Sequence, residues 1–170
     1  GKLERAEIEA SIESLFESGA ERRLGKLQGL LVGHSDPTIK KIGKILTSWC
    51  GNSPYGKFID QTTTLRLENP LVCFDLKGLD TYPDLQAVCL FIITDFVWRE
   101  VQADRGRPKF LIMDECWKLM ENESACSFVA EVFRTFRKYM ASAVAISQNI
   151  DDFAKSKISS AILPNSSIKW

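Results

Sequence analysis

The stretch that decides the fold is Phe110-Leu-Ile-Met-Asp114-Glu115-Cys-Trp-Lys-Leu-Met120. Four apolar residues in succession read as a strand buried on both sides. The acid pair that ends it belongs at the C-terminal edge of a sheet, where open α/β folds bind their ligands. There the first acid, Asp114, is suited to hold Mg2+ through water, and the second, Glu115, to orient or deprotonate an attacking water. Taken alone, the same run also describes a strand whose acids only cap the next helix or meet solvent.

The downstream sequence supplies a partner. Ala143-Val-Ala-Ile-Ser147 is a second buried strand, so Gln148, just past it, emerges beside Glu115 at the same edge. A neutral donor at that place can sense a γ-phosphate or hold the lytic water; the bland reading is the start of a loop. Residues 123 to 140 form an amphipathic helix between the strands, with Asn122 as its cap. Phe128, Val129, Val132 and Phe136 make its core stripe, and Arg134, Arg137 and Lys138 lie roughly opposite. A solvated basic face is the default explanation of those cations. The sharper one is an arginine offered to a neighbouring subunit's nucleotide, where it would stabilise charge on the transferring phosphoryl oxygens.

Upstream, Pro83 and Asp84 open a helix over about 83 to 102 that is apolar almost all the way round, which predicts burial. Thr62 to Leu67 and Leu71 to Leu76 are β-rich runs separated by Glu68-Asn69-Pro70, a turn signal. Ser167 to Trp170 reads as the start of a further strand. Strands alternating with helices, the strands continuously apolar, predict a mostly parallel sheet with helices on both faces over residues 59 to 170.

The first third has another period. Ile8, Ile12, Leu15 and Phe16 make one helical stripe and Leu24, Leu27 and Leu31 a second, which His34-Ser35-Asp36-Pro37 interrupts. Asp36 followed by Pro37 is a helix start, and Ile39, Ile42, Leu46 and Trp49 form the third stripe. Helices this short need one another's apolar faces, so residues 1 to 58 are expected to be a helical subdomain. Within it, Gly51-Asn-Ser-Pro-Tyr-Gly56-Lys57-Phe58 matches G-x-x-x-x-G-K, but Phe58 stands where a metal-binding Ser or Thr is needed. A helix precedes this run where a phosphate-binding loop needs a strand, so Gly51 and Gly56 are read as turn glycines.

Composition narrows the function. Apolar residues make up 45% and charged residues 26%, the balance of an ordinary globular chain. Twenty-two basic side chains cancel 22 acidic ones, which argues against a chain that wraps DNA or coats a membrane surface. The longest apolar run, Ala87 to Ile93, is too short to span a bilayer. Cys50, Cys73, Cys89, Cys116 and Cys126 have no metal-like spacing and read as reduced thiols. His34 is the only histidine, which excludes a histidine zinc site or a Ser-His-Asp triad within the chain.

Together these residues resemble the C-terminal ATPase domain of the TraC family, the large ATPases of conjugation and type IV secretion. The carriers are YGKFID (55–60), CFDLKGL (73–79), FLIMDECWKLM (110–120), FVAEVFRTFRKY (128–139) and AVAISQNIDDF (143–153), with Asn165 also fitting. The resemblance implies an α/β, RecA-like P-loop NTPase domain, present in part, plus the helical subdomain. It implies ATP and Mg2+ as cofactors, with Asp114 and Glu115 matching the Walker B acids, Gln148 the sensor glutamine, and Arg134 and Arg137 the basic helix. It further implies a homo-hexameric motor, cytoplasmic and peripheral at the inner membrane, working with other inner-membrane components of the secretion system and carrying no integral membrane segment. Direct DNA binding is left open. The chain departs from the family in lacking a phosphate-binding loop, which is expected upstream of Gly1, so the piece by itself is expected to be inactive. Cys116 and the Met140-Ala141 turn are minor departures, at positions where small residues or glycine are expected. Two alternatives stand beside this reading: a DNA translocase or coupling ATPase of the FtsK-HerA class, and a non-catalytic helical assembly module.

Overall fold

The computed structural model describes residues 1–62, 69–121 and 123–169, leaving the side chains of residues 120, 121, 124, 150 and 152 aside. The backbone divides into two compact units, Gly1–Phe74 and Asp75–Trp170.

The first unit is helical. Helices α1 (Lys2–Glu17), α2 (Leu24–Gly33) and α3 (Pro37–Ile45) are followed by a 3-10 turn, Leu46–Trp49, and the short α4 (Gly56–Ile59). Asp36 caps α3 as its sequence predicts. Its side chain accepts from the backbone N–H groups of Thr38 at 2.6 Å and Ile39 at 3.4 Å, and Pro37 occupies the first turn. The Thr38 amide holds the Asp36 carboxyl below its usual range. Leu15, Leu31 and Ile39 are buried where the three stripes meet. Gly43 lets α3 approach α2 closely, because a Cβ there would lie 2.7 Å from the Val32 amide nitrogen. His34, at the end of α2, donates from Nε2 to Glu7 at 3.3 Å and accepts at Nδ1 from the Asp36 amide at 3.0 Å, so it ties α1 to the α2–α3 corner.

The Gly51–Phe58 run is a clasp. A 3-10 turn precedes it where a phosphate-binding loop follows a strand, and the helix that begins at Gly56, α4, is a single turn. Asp60, 5% exposed, accepts from the Gly51 amide at 2.8 Å and the Gly25 amide at 3.1 Å, and Arg23 donates to its carbonyl. Gly51 has φ +56°, and a Cβ on Gly56 would fall 2.4 Å from the Cys50 carbonyl carbon, so both glycines serve the turn.

The second unit is α/β. A 3-10 turn, Leu79–Thr81, leads into α5 (Pro83–Ala103); then come β1 (Lys109–Met113), α6 (Cys116–Glu121) and α7 (Glu123–Thr135). A further 3-10 turn, Phe136–Tyr139, connects to β2 (Ala141–Ala145), α8 (Ile150–Ala154) and α9 (Ser159–Asn165). The strands pair in parallel from Lys109–Ala141 to Met113–Ala145, joined by a helical crossover as parallel neighbours require. One face of the pair, with Met113 and Ala141, packs on Cys116, Val129, Val132, Phe136, Ala161 and Ile162. The other bears Phe110, Ile112 and Val144, all exposed, so among the described residues helices cover one face of the sheet.

Several local expectations are corrected. Leu71 to Leu76 forms no strand, and Leu71 is 83% exposed. A β-rich run becomes a strand only when a partner completes its ladder, and no described segment does so. The expected partner, Thr62 to Leu67, lies largely outside the described residues, as do Asn122 and Trp170. The segment 166–169 forms no strand either. Helix α5 buries Leu85, Leu90 and Val101 but exposes Phe91 and Ile92, so its all-round apolar character is not matched by all-round burial. The helix expected over 123 to 140 tightens to 3-10 geometry after Thr135, and Met140 closes it in the left-handed region at φ 50°.

Candidate active site

The parallel register places the ends of β1 and β2 side by side. Ladder pairing continues one step past the strands: the Ile146 amide donates to the Met113 carbonyl at 2.9 Å, and the Cys116 amide to the Ile146 carbonyl at 2.9 Å. The chain leaves β1 through a tight turn in which Glu115 has φ 50°, an uncommon conformation for a residue with a side chain. Asp114 helps hold the turn, its Oδ1 accepting from the Glu115 amide at 3.0 Å.

Glu115 is half-buried and accepts two hydrogen bonds. Gln148 Nε2 donates to Oε1 at 2.7 Å, and Trp117 Nε1 donates to Oε2 at 2.5 Å. The Gln148 amide, then the Trp117 indole, hold the Glu115 carboxyl below its usual range; Lys118 adds to this and partial desolvation opposes it. Glu115 is therefore a fixed carboxylate with a set direction, and Asp114 beside it is exposed to solvent. Lys118 also lies 3.6 Å from Asp80, and Asp80 accepts from Gln86 at 3.1 Å.

Thus the structure brings Asp114, Glu115 and Gln148 together. It does not bring Arg134 or Arg137 to them. Arg134 sits in the last turn of α7 and Arg137 in the 3-10 turn before β2, at the end of the sheet marked by Lys109 and Ala141. Four residue steps along a strand separate the two ends by about 13 Å. Both arginines are exposed. Asn165 is engaged locally, its Nδ2 donating to the Ala161 carbonyl at 2.8 Å.

Trp117 is the site residue that the sequence pattern missed. Its place two residues after Glu115 in DECWK was visible, but an apolar ring beside a buried strand reads as core. Cys116, 0% exposed, is no nucleophile: burial, with Cys126 nearby, pushes its thiol up to about 12.

The chemistry of the donors fits a hard cation held partly by water. Mg2+ takes oxygen ligands and retains several waters, needing only one or two carboxylates besides substrate phosphates. Asp114 can supply one such oxygen. Among the described residues no three acids, histidines or cysteines cluster as a complete metal cage, and the Gly25 and Gly51 amides are already taken by the Asp60 carboxylate.

A parallel β-α-β pair with acids after one strand and an amide after the next defines part of a RecA-like α/β domain. The structure of VirB4 from Thermoanaerobacter pseudethanolicus superposes with a TM-score of 0.72 over 96% of this chain and 49% of that chain, at 20% sequence identity. The family model described as the TraG P-loop domain matches residues 2–170, and the chain belongs to that family. Protein TraC of Escherichia coli K12 is 29% identical over 121 residues, covering 69% of this chain and 14% of TraC. The TraC resemblance read from the residues is therefore upheld, and the chain spans about half or less of the length of these relatives. No described helix is long and apolar enough to cross a membrane.

Proposed function

We propose that this chain is the Walker B and sensor portion of an ATPase that powers type IV secretion and conjugative transfer, pilus assembly included. The observation that carries the reading is the 2.7 Å hydrogen bond from Gln148 to Glu115 across the two strand ends. A carboxylate that must aim a water is held by an orienting hydrogen bond of this kind.

In this mechanism Glu115 Oε1 or Oε2 receives the proton of the attacking water, and Gln148 fixes the carboxylate and senses the γ-phosphate. Asp114 would hold Mg2+ through water, and the ion, when bound, would supply charge neutralisation for phosphoryl transfer. Trp117 restrains the second oxygen of Glu115. The phosphate cradle belongs to a part of the protein outside residues 1–170, so these residues alone are expected to bind Mg-ATP weakly and not to turn it over. Arg134 or Arg137 serves a neighbouring subunit's nucleotide in a homo-hexamer, since neither reaches its own acids. The motor works on the cytoplasmic side of the inner membrane with other components of the secretion apparatus, a reading that its likeness to TraC and VirB4 supports.

The test is Glu115→Gln in the full-length protein. Shape is kept and the base is lost, so turnover should fall by about 10²-fold or more while ATP still binds. Near-normal hydrolysis would assign the water-activating role to another residue.

A further inference from the structure

We propose that the groove between α5 and α7 is an interface that seats helix α3 of a second copy of this chain. The groove is an open depression of about 630 Å³ lined by Phe91, Trp98 and Phe128 and by the acids Asp95, Glu123 and Glu131. Among the described residues no lysine or arginine lines it. Its floor is pre-formed: Trp98 stacks on Phe136 with ring centroids 5.9 Å apart, and Phe128 packs on the core. Phe91 nevertheless remains 63% exposed and Ile92 42%, on a helix whose composition is that of a buried one. An uncovered aromatic strip lined with carboxylates calls for an occupant that is apolar and positively charged.

Helix α3 carries that chemistry. Ile39 and Gly43 are buried in its own unit, which turns Lys40, Lys41, Lys44 and Ile45 outward. All three lysines are exposed, Ile45 is 61% exposed, and none of these lysines has an ion pair among the described residues. Laid in the groove, the helix would place Ile45 on the aromatic wall and its lysines against Asp95, Glu123 and Glu131, the helix-in-groove mode of recognition. Asp95 already accepts from Arg99 at 2.9 Å, so Glu123 and Glu131 are the more available anions. In the ring proposed above, each copy gives α3 to one neighbour and takes α3 from another, a head-to-tail contact. This names the contact surface of the self-assembly proposed above and rests on that assembly.

Sedimentation velocity of the 170-residue chain over a range of concentrations tests it. The expected result is association that grows with concentration and weakens as salt is raised from about 0.1 M to about 1 M, where screening shortens to a few ångströms. Glu123→Lys with Glu131→Lys should abolish association, and so should Lys40→Glu with Lys41→Glu. Mixing the two double variants should restore it, because each reversed surface then meets a reversed partner. Circular dichroism checks that both variants keep their helices; if either unfolds, the single changes Glu131→Lys and Lys40→Glu replace it in the same mixing test. Association that survives either reversal, or fails to return on mixing, overturns the interface and leaves self-assembly by another surface standing. A chain that stays monomeric at every concentration and salt overturns the interface together with self-assembly through residues 1–170.

Discussion

Gln148 and Glu115, 33 positions apart in sequence, are joined by a 2.7 Å hydrogen bond from the amide to the carboxylate at the shared end of two parallel strands. The contact costs little to arrange, because the register that pairs Met113 with Ala145 already brings both strand exits to one edge. Trp117 holds the other oxygen of the same carboxylate.

The first prediction is a titration. Glu115 is held below its usual range chiefly by Gln148, then by Trp117. A lowered folded-state value means these contacts stabilise the fold at neutral pH and that their contribution is lost as pH falls through the folded value. Gln148→Ala should move the Glu115 midpoint up toward that of a free glutamate, and Trp117→Phe should move it up by less. Carboxyl-detected NMR of carbon-labelled glutamate reads both. A midpoint unmoved by Gln148→Ala would mean that the bond is absent in solution.

A second prediction sets two backbone effects against each other at Gly43. Alanine is the better helix former by about 1 kcal/mol. Its Cβ, however, would meet the backbone of Val32 and Leu31 at 2.7 to 2.9 Å, and backbone cannot swing aside. Overpacking of this kind costs about 1–3 kcal/mol, so Gly43→Ala should destabilise the first unit despite its propensity. Urea unfolding monitored by circular dichroism is the measurement; an unchanged or raised midpoint would show that α2 and α3 separate at little cost.

Legibility in the sequence depended on how local the physics is. The Asp36–Pro37 helix start was legible because a cap involves only the next three residues. Asp114, Glu115 and Gln148 were legible as neighbours because each lies just past an apolar strand, and adjacent parallel strands deliver their exit residues to one edge. Leu71 to Leu76 misled because β-propensity describes a surface that fits a sheet and does not supply a partner strand. Helix α5 misled for a related reason: composition shows that a face is apolar, whereas Phe91 shows that it is uncovered. Trp117 escaped notice because its indole N–H reaches Glu115 only through the left-handed turn at φ 50°, a geometry no residue pattern announces.

Thiol reactivity offers a third prediction. Cys116 is inaccessible and its thiol is pushed up to about 12, while Cys73 is exposed. The thiolate is the reactive form, so iodoacetamide near pH 8 should label Cys73 in the folded chain and Cys116 only after unfolding. Mass spectrometry of the tryptic peptides distinguishes the sites. Prompt labelling of Cys116 at native conditions would contradict the packing of α6 against the core.

The last prediction crosses a subunit boundary. Arg137 lies in the 3-10 turn before β2, at the opposite end of the strand pair from Glu115, and is exposed. A five-residue strand holds the two ends about 13 Å apart, too far for a guanidinium to reach phosphate at its own acids. If Arg137 acts in catalysis, it therefore acts on a neighbour's nucleotide. In the full-length protein Arg137→Ala should leave folding and ATP binding unchanged and depress turnover by about 10³-fold, the scale on which a donated arginine stabilises phosphoryl-transfer charge. Mixed assemblies separate this from a simple surface role. Arg137→Ala subunits keep Glu115, and Glu115→Gln subunits keep Arg137, so a mixed ring contains junctions where an intact acid meets an intact arginine. Turnover should recover in part when the two single variants are mixed. It should not recover when a chain carrying both changes is mixed with either single variant, since no junction then holds both groups. No recovery from the two single variants, with co-assembly demonstrated by differently tagged subunits, would return Arg137 to a solvated face and leave Arg134 to be tested in the same way.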